Sequence, residues 1–331
     1  MTGNTRKILV LFPGALGDFV CFLPALEKIA RDCEVDLLAR SDYAGILSER
    51  IHVESLERRE ISRLFSEEAE SDAALRIFFS VYGRIYSWMG SRERTFLRSL
   101  RSVSQGELRC FSFQPETPMH AVDYYLSCVG GVFAPQESRA LLRPCSRAVV
   151  WARKYAGEHG LEEKKVLIVG PGSGAKEKNW PAAAYRKISA AWERQSDGVA
   201  ITVLGPAEEE NAEISREFET EGHVLRGLNI GQVAALLCQS HGYVGNDSGL
   251  THLAAAMGLP TVAVFGPTDP TRWAPRGARV ILLSRQIECS PCDYAAMKNC
   301  PHRRCLTSLS TEEVALALSE HFGPARQAHA P

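Results

Sequence analysis

Gly245 to Pro270 reads GNDSGLTHLAAAMGLPTVAVFGPTDP. A short apolar run ends at Gly245, and a tight Asp247-Ser248-Gly249 turn leads into a helix of small residues. Thr261 to Phe265 is then a second continuous apolar run of strand length, closed by the loop Gly266 to Pro270. Strands covered by helices on both faces are apolar throughout, so this alternation predicts a parallel α/β sheet.

The same rhythm recurs outward from this stretch. Apolar runs of strand length stand at Ile8–Phe12, Val35–Ala39, Val166–Val169, Ala200–Leu204 and Tyr243–Gly245, separated by segments with helical spacing. A first helix is expected over Phe19–Arg31, another over Val149–Gly160, and a last one over Thr311–Phe322, opened by a capping box of Ser310 and Glu313. A second strand-and-helix set starts afresh after Lys165. With 331 residues, of which 45% are apolar, two domains of comparable size are expected. Gly130–Arg147, rich in Gly, Pro and polar residues, is the expected boundary, giving domains 1–147 and 148–331 with a cleft between them. Gly323–Pro331 is expected to be a disordered tail.

A formal net charge of −1 gives no basic field, which argues against nucleic acid as the partner. The apolar stretch Ile8–Leu26 follows Arg6 and Lys7 as a signal peptide would. It also carries Asp18, Pro13, Pro24 and two glycines, which a strand, turn and helix explain better. No other stretch is long and apolar enough to span a membrane, and a cytoplasmic protein is expected.

Four loops can carry chemistry. At Asp247, Ser248 and Gly249 a helix begins, where backbone amides and the helix dipole favour an anion, and His252 lies one turn further on. Read alone, Asp247 is equally an N-cap and His252 equally a core histidine. The loop Gly170–Pro181, GPGSGAKEKNWP, combines glycines for close approach with Ser173, Lys176 and Lys178 and reads as a diphosphate clamp. It lacks the spacing of a P-loop, and a solvated surface loop is the plainer alternative. Gly205–Glu210 leaves its strand at the same edge and offers Glu208, or Glu209, to ribose hydroxyls; acids at a helix start also merely suit the dipole. In the first unit, Pro13–Asp18 ends its strand with a carboxylate that suits either a general base or an N-cap. GxGxxG is absent there and the second strand ends in Arg40, which argues against a nicotinamide enzyme.

Taken together, ALGDFVCFLPAL at Ala15–Leu26, GPGSGAKEKNWP and NDSGLTHLAAAMGLPTVAVFGPTDP resemble glycosyltransferase family 9, the lipopolysaccharide heptosyltransferases. The resemblance runs from about Ile8 to Phe322 and is poorest over residues 50 to 110. It implies the GT-B architecture, two Rossmann-like domains facing across a cleft, the N-terminal one for the acceptor and the C-terminal one for an ADP-heptose donor. It also implies inversion by single displacement. Asp18 then looks like the catalytic base, Lys178 like the diphosphate ligand, and Asp247, Ser248, Gly249 and His252 like the donor-binding turn, with Ser173 beside it. Glu208 looks like the ribose-binding acid, with Glu209 as its rival. Ser248 stands where family members often carry Thr. The implied partners are an ADP-sugar and a lipopolysaccharide inner-core or similar glycolipid acceptor, met by a monomer with peripheral contact at the inner membrane. No Asp-x-Asp pair occurs, and neither a metal nor another cofactor is implied.

Two features stand apart. From Arg76 to Arg109 seven arginines face only Glu93 and Glu107, which suits a phosphorylated acceptor, an anionic membrane or a solvated helix face. Of ten cysteines, Cys21, Cys33, Cys110, Cys128, Cys145 and Cys238 are scattered and read mostly as reduced core residues. Cys289, Cys292, Cys300 and Cys305 crowd into 17 residues, where reduced or reversibly oxidised thiols are expected more than structural zinc, because the spacings are not those of a common zinc ribbon. The reading from a different class is a non-catalytic protein of the same fold that binds a nucleotide sugar or glycan.

Overall fold

A computed structural model describes residues 7–133, 141–219 and 222–322. The expected tail Gly323–Pro331 and part of the expected boundary lie outside the described residues. The chain divides into two compact units, Met1–Arg143 and Pro144–Pro331.

The first unit is built on a five-stranded sheet in the order β3-β2-β1-β4-β5. These strands are β1 Lys7–Leu11, β2 Val35–Ala39, β3 Ile51–Ser55, β4 Tyr82–Ser87 and β5 Glu107–Cys110. Every pairing is parallel. β1 is buried along Ile8–Leu11, as a central strand covered on both faces must be. The helix Leu16–Ile29 follows it, opening three residues before the expected Phe19 because Ala15, in extended conformation, is its N-cap. Just past β1, Phe12 stacks on Phe22 at 4.3 Å, and Trp88 meets Phe22 at 4.7 Å. This aromatic cluster packs beneath Gly14 in the loop that leads into the helix bearing Asp18.

The second unit has six parallel strands in the order β11-β10-β9-β6-β7-β8. They are β6 Val166–Gly170, β7 Val199–Leu204, β8 His223–Arg226, β9 Gly242–Asn246, β10 Thr261–Phe265 and β11 Val280–Ser284. β6, β9 and β10 are buried from end to end. On one face Val169, Val244 and Val264 pack with Trp180, Tyr185, Leu306 and Val314, each buried aliphatic side chain contributing about 1.5–3 kcal/mol. Trp180 also donates its indole N–H to Leu309 O at 3.1 Å, which ties the first loop of the unit to its C-terminal segment. The final helix, Thr311–His321, opens on the expected capping box: Ser310 Oγ accepts from Glu313 N and Glu313 Oε2 from Ser310 N.

Both sheets have the doubly wound order, in which the chain leaves the first strand in one direction and later returns to build outward in the other. The reversal falls between β1 and β4 in the first unit and between β6 and β9 in the second. Loops from the carboxyl ends of the strands on either side of a reversal splay apart and leave a crevice.

Four of the seven arginines between Arg76 and Arg109 are paired at the surface: Arg84 and Arg109 both meet Glu107, at 2.7 and 2.6 Å, Arg98 meets Glu70 at 2.6 Å, and Arg92 lies 3.9 Å from Glu116. One expectation changes. Of the six scattered cysteines only Cys21 is buried, whereas Cys145 and Cys238 are exposed. Both exposed ones fall at helix termini, Cys145 as the N-cap of Ser146–Glu158 and Cys238 as the last residue of Ile230–Cys238, where a small thiol needs no core environment. Among the described residues no helix is long and apolar enough to cross a membrane.

Candidate active site

In the second unit the crevice at the β6/β9 reversal collects the loops singled out by sequence. Gly170 and Gly245 lie side by side in neighbouring strands. A Cβ on either would stand 2.2 Å from Tyr243 Oη, so both positions must be glycine for the buried phenol to sit between them. That hydroxyl lies 3.1 Å from Thr251 Oγ1, which donates to Asn246 O and lies 3.1 Å from Ser248 Oγ. Ser248 is the N-cap of the helix Gly249–Ala256 and accepts from Thr251 N at 3.3 Å. A chain of hydroxyls thus fixes the turn, and the first amides of the helix, which have no partner within it, open at the strand ends.

Asp247 is almost fully buried and gathers groups from two loops and a helix. Its Oδ2 accepts from Lys178 Nζ at 2.8 Å and from Thr268 Oγ1 at 2.7 Å. Its Oδ1 faces His252 Nε2 at 3.9 Å. Lys178 ends the single turn Lys176–Lys178 of the β6 loop and Thr268 comes from the loop after β10. The carboxylate therefore holds a lysine, a threonine and a buried histidine around the mouth of a helix N-terminus. Such a cluster offers an anion the Lys178 ammonium, which keeps donors beyond the one given to Asp247, and the amides of the helix start.

Asn246 supports it from below. Fully buried, its Oδ1 accepts from Trp180 N and from Tyr185 Oη, both at 2.8 Å, and its Nδ2 donates to Pro171 O at 2.7 Å. One amide thus pins both ends of the loop that bears Lys178. Burial keeps the Tyr185 phenol protonated by raising its pKa well above the ordinary value.

The remaining candidates lie around this centre. Ser173, also buried, keeps its hydroxyl within its own loop, 2.8 Å from both Ala175 O and Asn179 Oδ1, so its side chain shapes the loop. Glu208 Oε2 accepts from Gly205 N at 2.9 Å, and the carboxyl lies against Gly172, where a Cβ would stand 2.2 Å from Glu208 Oε1. Glu209 is exposed, so Glu208 is the acid set beside the β6 loop. Asn246 and Thr268 were not singled out by sequence. A polar residue closing an otherwise apolar buried strand was the available signal for Asn246, since a buried amide requires partners.

In the first unit Asp18 occupies the first turn of Leu16–Ile29, half-buried. The N-cap is Ala15, so the carboxylate does not serve as the cap. Gly14 makes room for it: a Cβ there would stand 2.9 Å from Asp18 Cβ and 2.4 Å from the Phe12 ring. Tyr43 donates its hydroxyl to Gly14 O at 3.0 Å. Burial, and after it charges that include Asp18, push the Tyr43 and Tyr125 phenols far above the ordinary range, so both remain neutral near the carboxylate. Asp18 sits at the carboxyl end of β1, the strand at which the first sheet reverses.

The four clustered cysteines are free thiols, Cys289 exposed and Cys305 buried. Burial, and then the neighbouring thiols, raise Cys305 to about 11. Among the described residues no three His, Cys, Asp or Glu side chains form a group able to hold a metal ion.

Residues 135–301 match the family model described as glycosyltransferase family 9 (heptosyltransferase). Lipooligosaccharide heptosyltransferase 2 of Campylobacter jejuni subsp. jejuni serotype O:2 is 31% identical over 160 residues, 46% of this chain and 49% of the relative. The alignable chain thus spans about half the length of the curated relatives it matches. Among solved structures, a family 9 glycosyl transferase from Veillonella parvula DSM 2008 superposes with a TM-score of 0.74 at 20% identity, over 97% of this chain and 98% of the other. The E. coli ADP-heptose lps heptosyltransferase II superposes with a TM-score of 0.69 at 18% identity, over 96% and 98%. These likenesses show the fold, α/β with two Rossmann-like units of GT-B type.

Proposed function

This chain belongs to glycosyltransferase family 9 (heptosyltransferase), and on that premise we propose that it transfers heptose, or a related sugar, from an ADP-sugar to a lipopolysaccharide inner core or similar glycolipid. The observation that carries the reading is the convergence of Lys178, Thr268 and His252 on Asp247, at a helix N-terminus beside the β6/β9 reversal.

A nucleoside diphosphate leaving a sugar gathers negative charge as the anomeric carbon becomes oxocarbenium-like. Lys178 is the cation for that charge, and the helix amides from Gly249 onward share it. Asp247 is itself anionic and would repel a phosphate, so its part is to aim Lys178, Thr268 and His252. Glu208 accepts from the ribose hydroxyls in this reading, which its position beside the β6 loop supports. An alcohol acceptor has a pKa far above 7, so it must lose its proton as the new bond forms; Asp18 takes it, giving direct displacement with inversion. An acceptor carried on a lipid brings the enzyme to the inner face of the inner membrane as a peripheral monomer.

Calorimetric titration with ADP, ADP-heptose, a UDP-sugar and NAD, repeated on Asp247→Ala, tests this. Binding of ADP and ADP-heptose that is lost in the variant is expected, followed by turnover with a glycolipid acceptor that Asp18→Asn abolishes. Preference for a uridine nucleotide removes the heptose donor, binding without turnover favours a carrier of nucleotide sugars, and absence of nucleotide binding sinks the enzyme reading.

A further inference from the structure

The segment after β11 is fastened to both loops that meet at Asp247. On one side Cys292 N donates to Pro267 O and Ser290 Oγ to Gly266 O, each at 2.7 Å, next to Thr268. On the other side Lys298 Nζ meets Glu177 Oε2 at 2.9 Å, and Arg303 Nη1 reaches Lys176 O at 3.4 Å and Asn179 O at 3.5 Å. These contacts bracket the one turn, Lys176–Lys178, from which Lys178 projects.

A single 3₁₀ turn has little stability of its own, and a lysine side chain left to itself populates many rotamers. Glu177 is buried within that turn. Burial would raise its pKa, but the hydrogen bond from Lys298 and its other partners outweigh it and hold the carboxyl below its ordinary value. Without Lys298 this buried carboxylate would lose its ion-pair partner within the turn that bears Lys178. Arg303 is committed to its contacts by a left-handed backbone (φ 44°), with its amide donating to Cys300 Sγ at 3.4 Å.

We propose that Lys298 and Arg303 are positioning residues for the donor diphosphate, acting through the Lys176–Lys178 turn: they lock the direction of Lys178, and Lys298 neutralises Glu177. The segment around the clustered cysteines is on this view a strap that fixes the two loops against each other. The inference rests on Lys178 being the diphosphate ligand, as proposed above.

The test compares ADP with AMP, which lacks the second phosphate, by calorimetric titration of the full chain, with circular dichroism reporting the fold. Lys298→Ala is expected to weaken ADP about 10-fold and AMP less than about twofold, the scale of one charge-assisted hydrogen bond misaligned. Lys298→Arg should restore the ratio, and Arg303→Ala should lower it in the same direction. Equal losses for ADP and AMP would mark a merely structural role and overturn the inference. So would unchanged ADP binding in Lys298→Ala where Lys178→Ala loses it. Failure of the unsubstituted protein to bind ADP would overturn the functional reading first and this inference with it.

Discussion

Tyr185 donates a hydrogen bond from its hydroxyl to Asn246 Oδ1 at 2.8 Å, joining the helix Ala182–Ser196 to the last residue of β9. The same oxygen accepts from Trp180 N and the Nδ2 donates to Pro171 O just past β6, so one buried amide holds the β6 loop to the end of β9. Asn246→Ala leaves Trp180 N, Tyr185 Oη and Pro171 O without that partner. Each unmet buried group costs about 1–3 kcal/mol, so the three together cost at least about 3 kcal/mol, or at least about 6 °C in the unfolding midpoint of a unit this size. Scanning calorimetry decides it, and a shift below about 2 °C would refute the bracing role.

Lys178→Ala removes the cation from the donor site. A hydrogen bond to a charged group is worth about 1.5–3 kcal/mol, so ADP affinity should fall by about 10- to 100-fold, while AMP is held nearly as before. Thr268→Val leaves Asp247 Oδ2 with Lys178 as its hydrogen-bond donor. Titrations of that variant should show a smaller loss, about threefold to tenfold.

Asp18→Asn keeps the shape of its side chain and deletes its basicity. Turnover should drop by about 10² to 10⁴, the range of a general base, with ADP affinity within about twofold of the original. If nucleotide affinity collapsed together with turnover, Asp18 would instead be shaping the structure.

His241 precedes β9, and its Nδ1 accepts from Val166 N at 3.1 Å, which requires the neutral ring. Burial, and then the charge of Lys165, lower its pKa below the ordinary 6.5. The unfolded chain therefore binds that proton more tightly than the folded one. The histidine's stabilising contribution is complete above about pH 6.5 and is lost as the pH falls toward the folded value. Melting midpoints measured from about pH 7 to 5 should decline more steeply for the unsubstituted protein than for His241→Asn, and parallel curves would rule this out.

The strands that could be read from sequence are those covered on both faces. β1, β2, β6, β7, β9 and β10 carry predominantly apolar runs, which single polar residues such as Asp36 in β2 and Thr202 in β7 interrupt without hiding. By contrast β3 (IHVES), β5 (ELRC) and β8 (HVLR) lie at sheet edges, half-exposed, with residues that alternate or are polar, whereas β11 (VILLS) is a half-exposed edge strand despite its apolar run Val280–Leu283. β4 carries Gly83 and Arg84, which break its apolar run. Glycines at the strand ends mark the site loops because close approach demands them, as Gly170 and Gly245 do around Tyr243. Asn246 and Thr268 escaped because their meaning comes from partners distant in sequence: Asn246 bonds Pro171, 75 residues away, and Thr268 bonds Asp247 from another loop. The scattered cysteines misled because a thiol is small enough to sit at a helix end as readily as in a core.

The separation of Lys178 from Asp247 by 69 residues also bears on synthesis. β6, β7 and β8 can pair from one contiguous stretch, but the cradle needs β9 beside β6, a pairing of high sequence separation that forms slowly. At about 5–20 residues per second, a nascent lysine emerges from the ribosome some 3 to 14 s before its acid, and until then the growing sheet exposes a bare edge along β6.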